Sequence, residues 1–122
     1  MAIETTAGDL ERFSKGDDGR PVVILQLLRF NEGGLERYLE YANAAQPILL
    51  RMGADIIYAG EFLETLVPPT GQSWDGVLLV RYPSRAAYVD MHADPAYQAI
   101  APLRRSALQE AAVVRIDDWF AP

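Results

Sequence analysis

The sequence predicts a small α+β fold in the element order β-α-β-β-α-β, and three observations predict it. Four apolar, β-branched runs, at 21–30, 55–67, 74–82 and 112–119, are bounded by Gly, Pro, Asn or Asp, as strands are. Two intervening stretches repeat their apolar residues at three- and four-residue spacing, the period of a helix with one buried face. A length of 122 residues suits one domain, burying roughly two-thirds of the surface its unfolded chain exposes.

Residues 1–20 read as an N-terminal arm ahead of the domain at 21–122. Thr6 caps a short helix through Leu10 and Phe13, with Asp9 as capping-box partner. Gly16 ends that helix and Asp17-Asp18-Gly19 makes a turn. The arm either frays in solvent or lies over the domain or its partner. The first strand, PVVILQLLRF at 21–30, is a central one. A helix at 35–52 follows from the spacing of Leu35, Tyr38, Leu39, Ala42, Ala45, Leu49 and Met52. Pro47 should kink it, and Gly53 stops it. The second strand, 55–67, bends at Gly60; 68–71 is a loop, and the third strand is 74–82. Ser84 caps a helix at 85–93. Asp94 caps a second one that starts on Pro95, where the missing N–H costs nothing. That helix runs through Tyr97, Ile100, Leu103 and Leu108, with a bend expected at Pro102. The last strand is 112–119.

This order is the ferredoxin-like arrangement. Its four-stranded antiparallel sheet carries the helices on one face and leaves the other uncovered. Alternate side chains point to opposite faces, so parity divides the residues. Val23, Leu25 and Leu27, with Leu78, Val80, Tyr82, Val114 and Ile116, make the helix-facing set. Val22, Ile24, Gln26, Leu28, Phe30, Val77, Leu79, Arg81, Val113, Arg115 and Asp117 then line the open face. An apolar sheet face does not stay wet in a stable monomer. A symmetric homodimer, packed sheet to sheet through the open face, is therefore the expected assembly.

Composition excludes whole classes of function. With no cysteine there are no disulfides, zinc ribbons, iron–sulfur clusters or thiol catalysis. With one histidine there is no multi-His metal site. No metal and no cofactor is expected. Seventeen acidic against 11 basic residues, a net charge of −6, argue against nucleic acid, which needs a basic face. No apolar run is long enough to span a bilayer, and the N-terminus lacks the pattern of a secretory signal. A cytoplasmic protein is the expectation. Ten of the 11 basic residues are arginine, Lys15 being the exception.

Tyr82-Pro83-Ser84-Arg85-Ala86-Ala87-Tyr88, then Asp94-Pro95-Ala96-Tyr97-Gln98-Ala99-Ile100 and Arg104-Arg105, resemble the domain-of-unknown-function family 1330, in the dimeric α/β-barrel (ferredoxin-like) superfamily. Leu27-Leu28-Arg29-Phe30, Tyr38-Leu39-Glu40-Tyr41 and Arg51-Met52-Gly53-Ala54 look like the same family's first strand, first helix and helix-end turn. The resemblance covers 21 to about 117 and omits the arm. Two departures stand out. Met52-Gly53-Ala54 replaces a common His-Gly-Gly, and Gln26 stands where an acidic residue is common. The resemblance implies two sheets closed into a barrel and brings no catalytic residues. The superfamily's haem-degrading members look to need a tryptophan near Tyr82 and a histidine near Ala101, and the chain has neither.

Three residues are the catalytic candidates: His92, Arg81 and Arg115. His92 has the one side chain with an unperturbed pKa near neutrality, and serves either as acid/base or ligand at the barrel mouth or as an ordinary helix histidine. Two guanidiniums inside a barrel need acceptors, and Asp117 and Gln26 are the nearest. Arg81, Arg115, Asp117 and Gln26 thus form either a structural polar network or a site for a carboxylate or enolate held by arginine forks. Tyr58, Phe62 and Trp74 supply its walls. Trp119-Phe120 covers an edge or the partner chain. Gly71-Gln72-Ser73-Trp74-Asp75-Gly76 fails as a nucleophile elbow, its second glycine standing one residue too far. The expected function is to hold a small molecule, anionic or aromatic, in the barrel pocket. The alternatives are a cofactor-independent oxygenase or isomerase, with Arg81 and Arg115 stabilising developing negative charge, and a non-catalytic sensor or dimeric interaction module.

Overall fold

The computed structural model describes residues 3–121; the first two residues of the arm and the last of the domain lie outside it. The order is α1 (Ala7–Lys15), β1 (Val22–Phe30), α2 (Gly34–Arg51), β2 (Asp55–Glu61), β3 (Gly76–Tyr82), α3 (Arg85–Ala93), α4 (Pro95–Ala107) and β4 (Leu108–Ile116). The four strands form one antiparallel sheet in the order β2-β3-β1-β4. That is the ferredoxin-like α+β fold, with one helix added in front and the second helical layer split in two. No helix among the described residues is long and apolar enough to cross a membrane.

Local chemistry explains the element ends. Thr6 and Asp9 close a capping box on α1. Ser84 Oγ accepts from Ala87 N at 3.1 Å to start α3. Asp94 Oδ1 accepts from Ala96 N at 2.9 Å and from Tyr97 N to start α4. The same carboxylate takes two bonds from Arg51, at 2.8 and 3.2 Å, which ties the end of α2 to the start of α4. Gly53, at φ +77°, turns the chain out of α2. Gly34 opens α2 where a Cβ would stand 2.2 Å from the Ala107 carbonyl oxygen, so only glycine lets α2 approach the α4–β4 junction this closely.

Several boundaries differ from expectation. α2 and α4 run on through Pro47 and Pro102. Both prolines are exposed, on the side of each helix where water can take up a freed carbonyl. β2 stops at Glu61, which pairs with Gly76 at the start of β3; Phe62 N adds one bond to the Asp75 carbonyl at 2.8 Å, and 63–67 has no strand beside it. β3 begins two residues later than expected, at Gly76. β4 follows α4 without a loop, running from Leu108 to Ile116 rather than from 112 to 119.

The larger correction is to parity. On β1 it is Val22, Ile24 and Leu28 that lie buried under the helices, while Val23, Leu25 and Leu27 stay on the other face. On β4 the register sets Ala111, Val113 and Arg115 opposite Leu28, Gln26 and Ile24, which puts Val114 and Ile116 on the open face. β3 divides as expected, with Val80 and Tyr82 among the most buried residues of the chain. Both parities of VVILQLLRF are apolar except at Gln26 and Arg29, and Gln26 goes inward because a buried partner awaits it there. The open face is still largely aliphatic. Val23, Leu25, Leu27, Val77, Leu79, Ala112, Val114 and Ile116 line it, together with Arg81 and the Arg29–Glu110 ion pair.

The core lies between sheet and helices. It joins Val22, Ile24, Leu28, Val80 and Tyr82 from the sheet to Tyr38, Tyr41, Ala45, Ile48 and Leu49 of α2, Tyr88 and Met91 of α3, and Tyr97 of α4. The arm docks on this layer. Phe13 meets Tyr88 edge to face at 5.4 Å, and the Arg85 guanidinium lies over the Phe13 ring at 4.8 Å.

Candidate functional site

A cavity of about 450 Å³ lies inside the subunit, between the helices and the covered face of the sheet. Gln26 and Leu28 of β1 and Val80 and Tyr82 of β3 form its floor. Tyr38 and Tyr41 of α2 close one side, and Tyr88, Met91 and His92 of α3 with Tyr97 and Arg104 of α4 close the other. Glu4 and Thr5 of the arm stand at its rim. Helical spacing explains the convergence. Tyr88 and His92, four apart, share one face of α3; Tyr97, Ala101 and Arg104 share one face of α4.

Arg104 is the buried charge of this site, 6 % exposed. Its Nη2 donates to Gln26 Oε1 at 3.0 Å and its Nη1 donates to the Ile3 carbonyl. The Tyr38 hydroxyl stands beside it, and burial pushes that phenol up to about 12 even though the guanidinium favours its ionised form. Burial also raises the phenols of Tyr41, Tyr82 and Tyr88. All four are neutral donors at physiological pH. The Tyr41 and Tyr97 hydroxyls bond each other at 2.8 Å, and Tyr88 shares a 2.8 Å bond with Thr5 Oγ1, which pins the arm over the rim. Glu4 at that rim turns its carboxylate to Arg105, 3.4 Å away.

His92 sits between Tyr88 and Tyr97, tilted to both rings, with centroids 4.5 and 5.3 Å away. Its Nδ1 lies 2.8 Å from the Tyr88 carbonyl oxygen. A carbonyl only accepts, so Nδ1 carries the proton and Nε2 is left as an acceptor in the neutral ring. Burial lowers its pKa, and the nearby Arg104 charge works in the same direction. The unfolded chain therefore takes up the proton more readily than the folded one. Stability should fall as pH drops below about 6.5 and go on falling through the lower folded pKa. Urea unfolding at about pH 7.5 and about pH 5.5 should show that loss in the wild type and not in His92→Gln, because His92 is the chain's only histidine. Equal wild-type stability at the two pH values would contradict it.

The residues expected to form one site are dispersed. Gln26 and His92 reach the cavity. Arg81 pairs with Asp55 on the exposed, uncovered face. Arg115 has the opposite parity, at the exposed end of edge strand β4. The two guanidiniums thus belong to opposite faces of the sheet and do not meet within the subunit. Asp117 lies past the strand end, where its Oδ1 accepts from Asp118 N at 3.0 Å. Tyr58 sits opposite Leu79 on the open face, 60 % exposed. Trp74 packs under the Arg29 guanidinium, 5.2 Å from its ring centre. The arginine that does enter the fold is Arg104. Its signal was its place seven residues after Tyr97, on the inward stripe of α4, which the Ile100–Leu103 spacing obscured. Among the described residues no group of three or more acidic or histidine side chains is placed to hold a metal ion.

Known proteins frame this geometry. A protein of unknown function from Rhodopseudomonas palustris is 28 % identical, with a TM-score of 0.84 and coverage of 98 % of both chains. A dimeric ferredoxin-like protein of unknown function from Jannaschia superposes with a TM-score of 0.61 at 14 % identity, over 80 % of this chain and 99 % of that one. A hydroxynitrile lyase from Passiflora edulis superposes with a TM-score of 0.64 at 13 % identity, over 85 % of this chain and 99 % of that one. The last two likenesses are of fold alone. No curated protein matches the chain. Residues 24–117 match the model of the domain of unknown function DUF1330, and the chain belongs to that family.

Proposed function

We propose that the protein is a homodimer, joined sheet to sheet, in which each subunit holds a small, largely apolar molecule between its own helices and sheet. The cavity of about 450 Å³ carries this reading. It falls within the roughly 300–1,000 Å³ usual for ligand sites, and like them it is mostly apolar with a few convergent polar groups. The pocket is thus moved from the open face to the covered one, and the open face is left for the partner.

The dimer is supported by what one subunit leaves bare. Besides the aliphatic face of the sheet, Leu63, Leu66 and Val67 in the β2–β3 loop and Trp119 and Phe120 after β4 are each at least 85 % exposed. Apolar surface on this scale marks an association site. The Jannaschia protein, of like fold, is described as dimeric.

A thermal-shift panel of small aromatic and aliphatic molecules tests the pocket. Some should raise the melting temperature of the wild type and none that of Ala45→Phe, which fills the cavity from α2. A panel that shifts neither chain, or both alike, would overturn the reading. One observation favours a catalytic version of the same site. A neutral His92 with Nε2 free to accept lines the same cavity as the Arg104 cation, the pairing that proton abstraction beside a developing oxyanion requires.

A further inference from the structure

Resting on that small-molecule reading, we infer that the ligand is an organic monoanion, an aryl or alkyl carboxylate, and that Arg104 is its counter-charge. Arg104 carries a guanidinium, 6 % exposed, at the wall of a mostly apolar cavity. A buried guanidinium normally faces a carboxylate, because an uncompensated buried charge is costly. Here its two acceptors are neutral, the Gln26 side-chain amide and the Ile3 backbone carbonyl. The ion pairs among the described residues involve Arg12, Lys15, Arg20, Arg29, Arg51 and Arg105; Arg104 is in none of them. Of the two carboxylates that line the cavity, Glu4 is engaged by Arg105 and Glu61 is exposed at the end of β2.

The neighbouring groups fit an anion in the same place. A guanidinium has five N–H donors in a fork matched to a carboxylate, and the two protein acceptors leave donors to spare. Tyr38, whose hydroxyl stands beside the fork, is a neutral phenol that can donate to the second carboxylate oxygen. Leu28, Leu49, Val80 and Met91 of the wall offer no hydrogen bond and suit a hydrocarbon or ring. The charged end of the ligand therefore lies toward Arg104 and Gln26, and its apolar body lies along α2 and β3. The Ile3 carbonyl competes for the same guanidinium, so binding would loosen the arm's hold at the rim.

The test is calorimetric titration at near-neutral pH with benzoate, naphthoate and biphenylcarboxylate, each against its own carboxamide. Acid and amide share shape and differ in charge. The best acid should bind the wild type at least about tenfold more tightly than its amide, the weight of one charge-assisted hydrogen bond. Arg104→Gln should erase that preference while leaving the amide's affinity within about threefold, and Arg104→Lys should keep part of it. Acid and amide binding equally well would overturn the anion and leave the pocket standing. Binding by none of the six would overturn both. The wild-type comparison of acid with amide decides the matter even if a variant at position 104 fails to fold.

Discussion

Leu25→Glu is expected to run as a folded monomer of 13.5 kDa where the wild type runs at twice that mass. Leu25 lies at the middle of the open face, between Leu79 of β3 and Val114 of β4. In a single subunit its side chain is at the surface, so glutamate there costs the fold little. In a sheet-to-sheet dimer the same carboxylate enters an apolar layer without a partner. A two-fold interface makes every such contact twice. Two unpaired carboxylates, at several kcal/mol each, amount to a loss of roughly 10³-fold or more in association. Sedimentation equilibrium at micromolar concentration reads the mass, and far-ultraviolet dichroism shows that the subunit is intact. Leu50→Glu is the control: Leu50 is an exposed leucine on α2, 73 % accessible and away from the sheet, and its replacement should leave the dimer whole. A wild type that sediments as a monomer would overturn the dimer, as would a Leu25→Glu chain that stays at double mass.

How far the chain could be read without coordinates depended on the range of the chemistry involved. Thr6 with Asp9, Ser84, and Asp94 with Pro95 act within one helical turn, and each marks the boundary it was expected to mark. The order of strands and helices follows from similarly local periodicity. Strand parity is not local here, because VVILQLLRF presents an apolar row to either face. The deciding residue, Gln26, looks like a surface residue until its partner is known. That partner, Arg104, is 78 positions away in the chain. Reading Gln26 as outward reverses β1; β4, read from Val114 and Ile116 alone, is reversed too, as the pairing of Val113 with Gln26 shows. Together the two reversals group Gln26 and Arg115 with Arg81 on the open face, where Arg81 alone of the three stands.

The same pair explains why the cavity's main charge was missed. An arginine on a helix is ordinarily an exposed residue with an apolar stem, and Arg105 beside it is one. Only tertiary packing distinguishes the two. α4 turns Tyr97 and Arg104 toward the sheet, and the inward amide of Gln26 meets the guanidinium there. β2 teaches the same lesson about length. Leu63, Leu66 and Val67 have the composition of a strand, yet β3 starts too late to pair with them. They stand exposed instead, available to a second subunit.

Gln26→Leu and Arg104→Met should each destabilise the subunit, and the double variant should not. Gln26→Leu removes a side-chain acceptor of a buried cation. Losing a hydrogen bond to a buried charge costs about 2–3 kcal/mol. Arg104→Met leaves the Gln26 amide without its donor, at about 1–2 kcal/mol; the Ile3 carbonyl, only partly buried, can turn to water instead. With both replaced, no polar group of the pair remains to be desolvated, and leucine and methionine extend the apolar wall. The double variant should therefore lie within about 1 kcal/mol of wild type or above it. Urea unfolding of the four chains at one protein concentration closes the cycle, and losses that simply added would show that the two residues do not act as a pair. An apolar substitute that folds this well has a direct consequence for the site. A cation the fold can do without is explained by what it binds, so the double variant should keep its melting point and lose all discrimination between naphthoate and its amide.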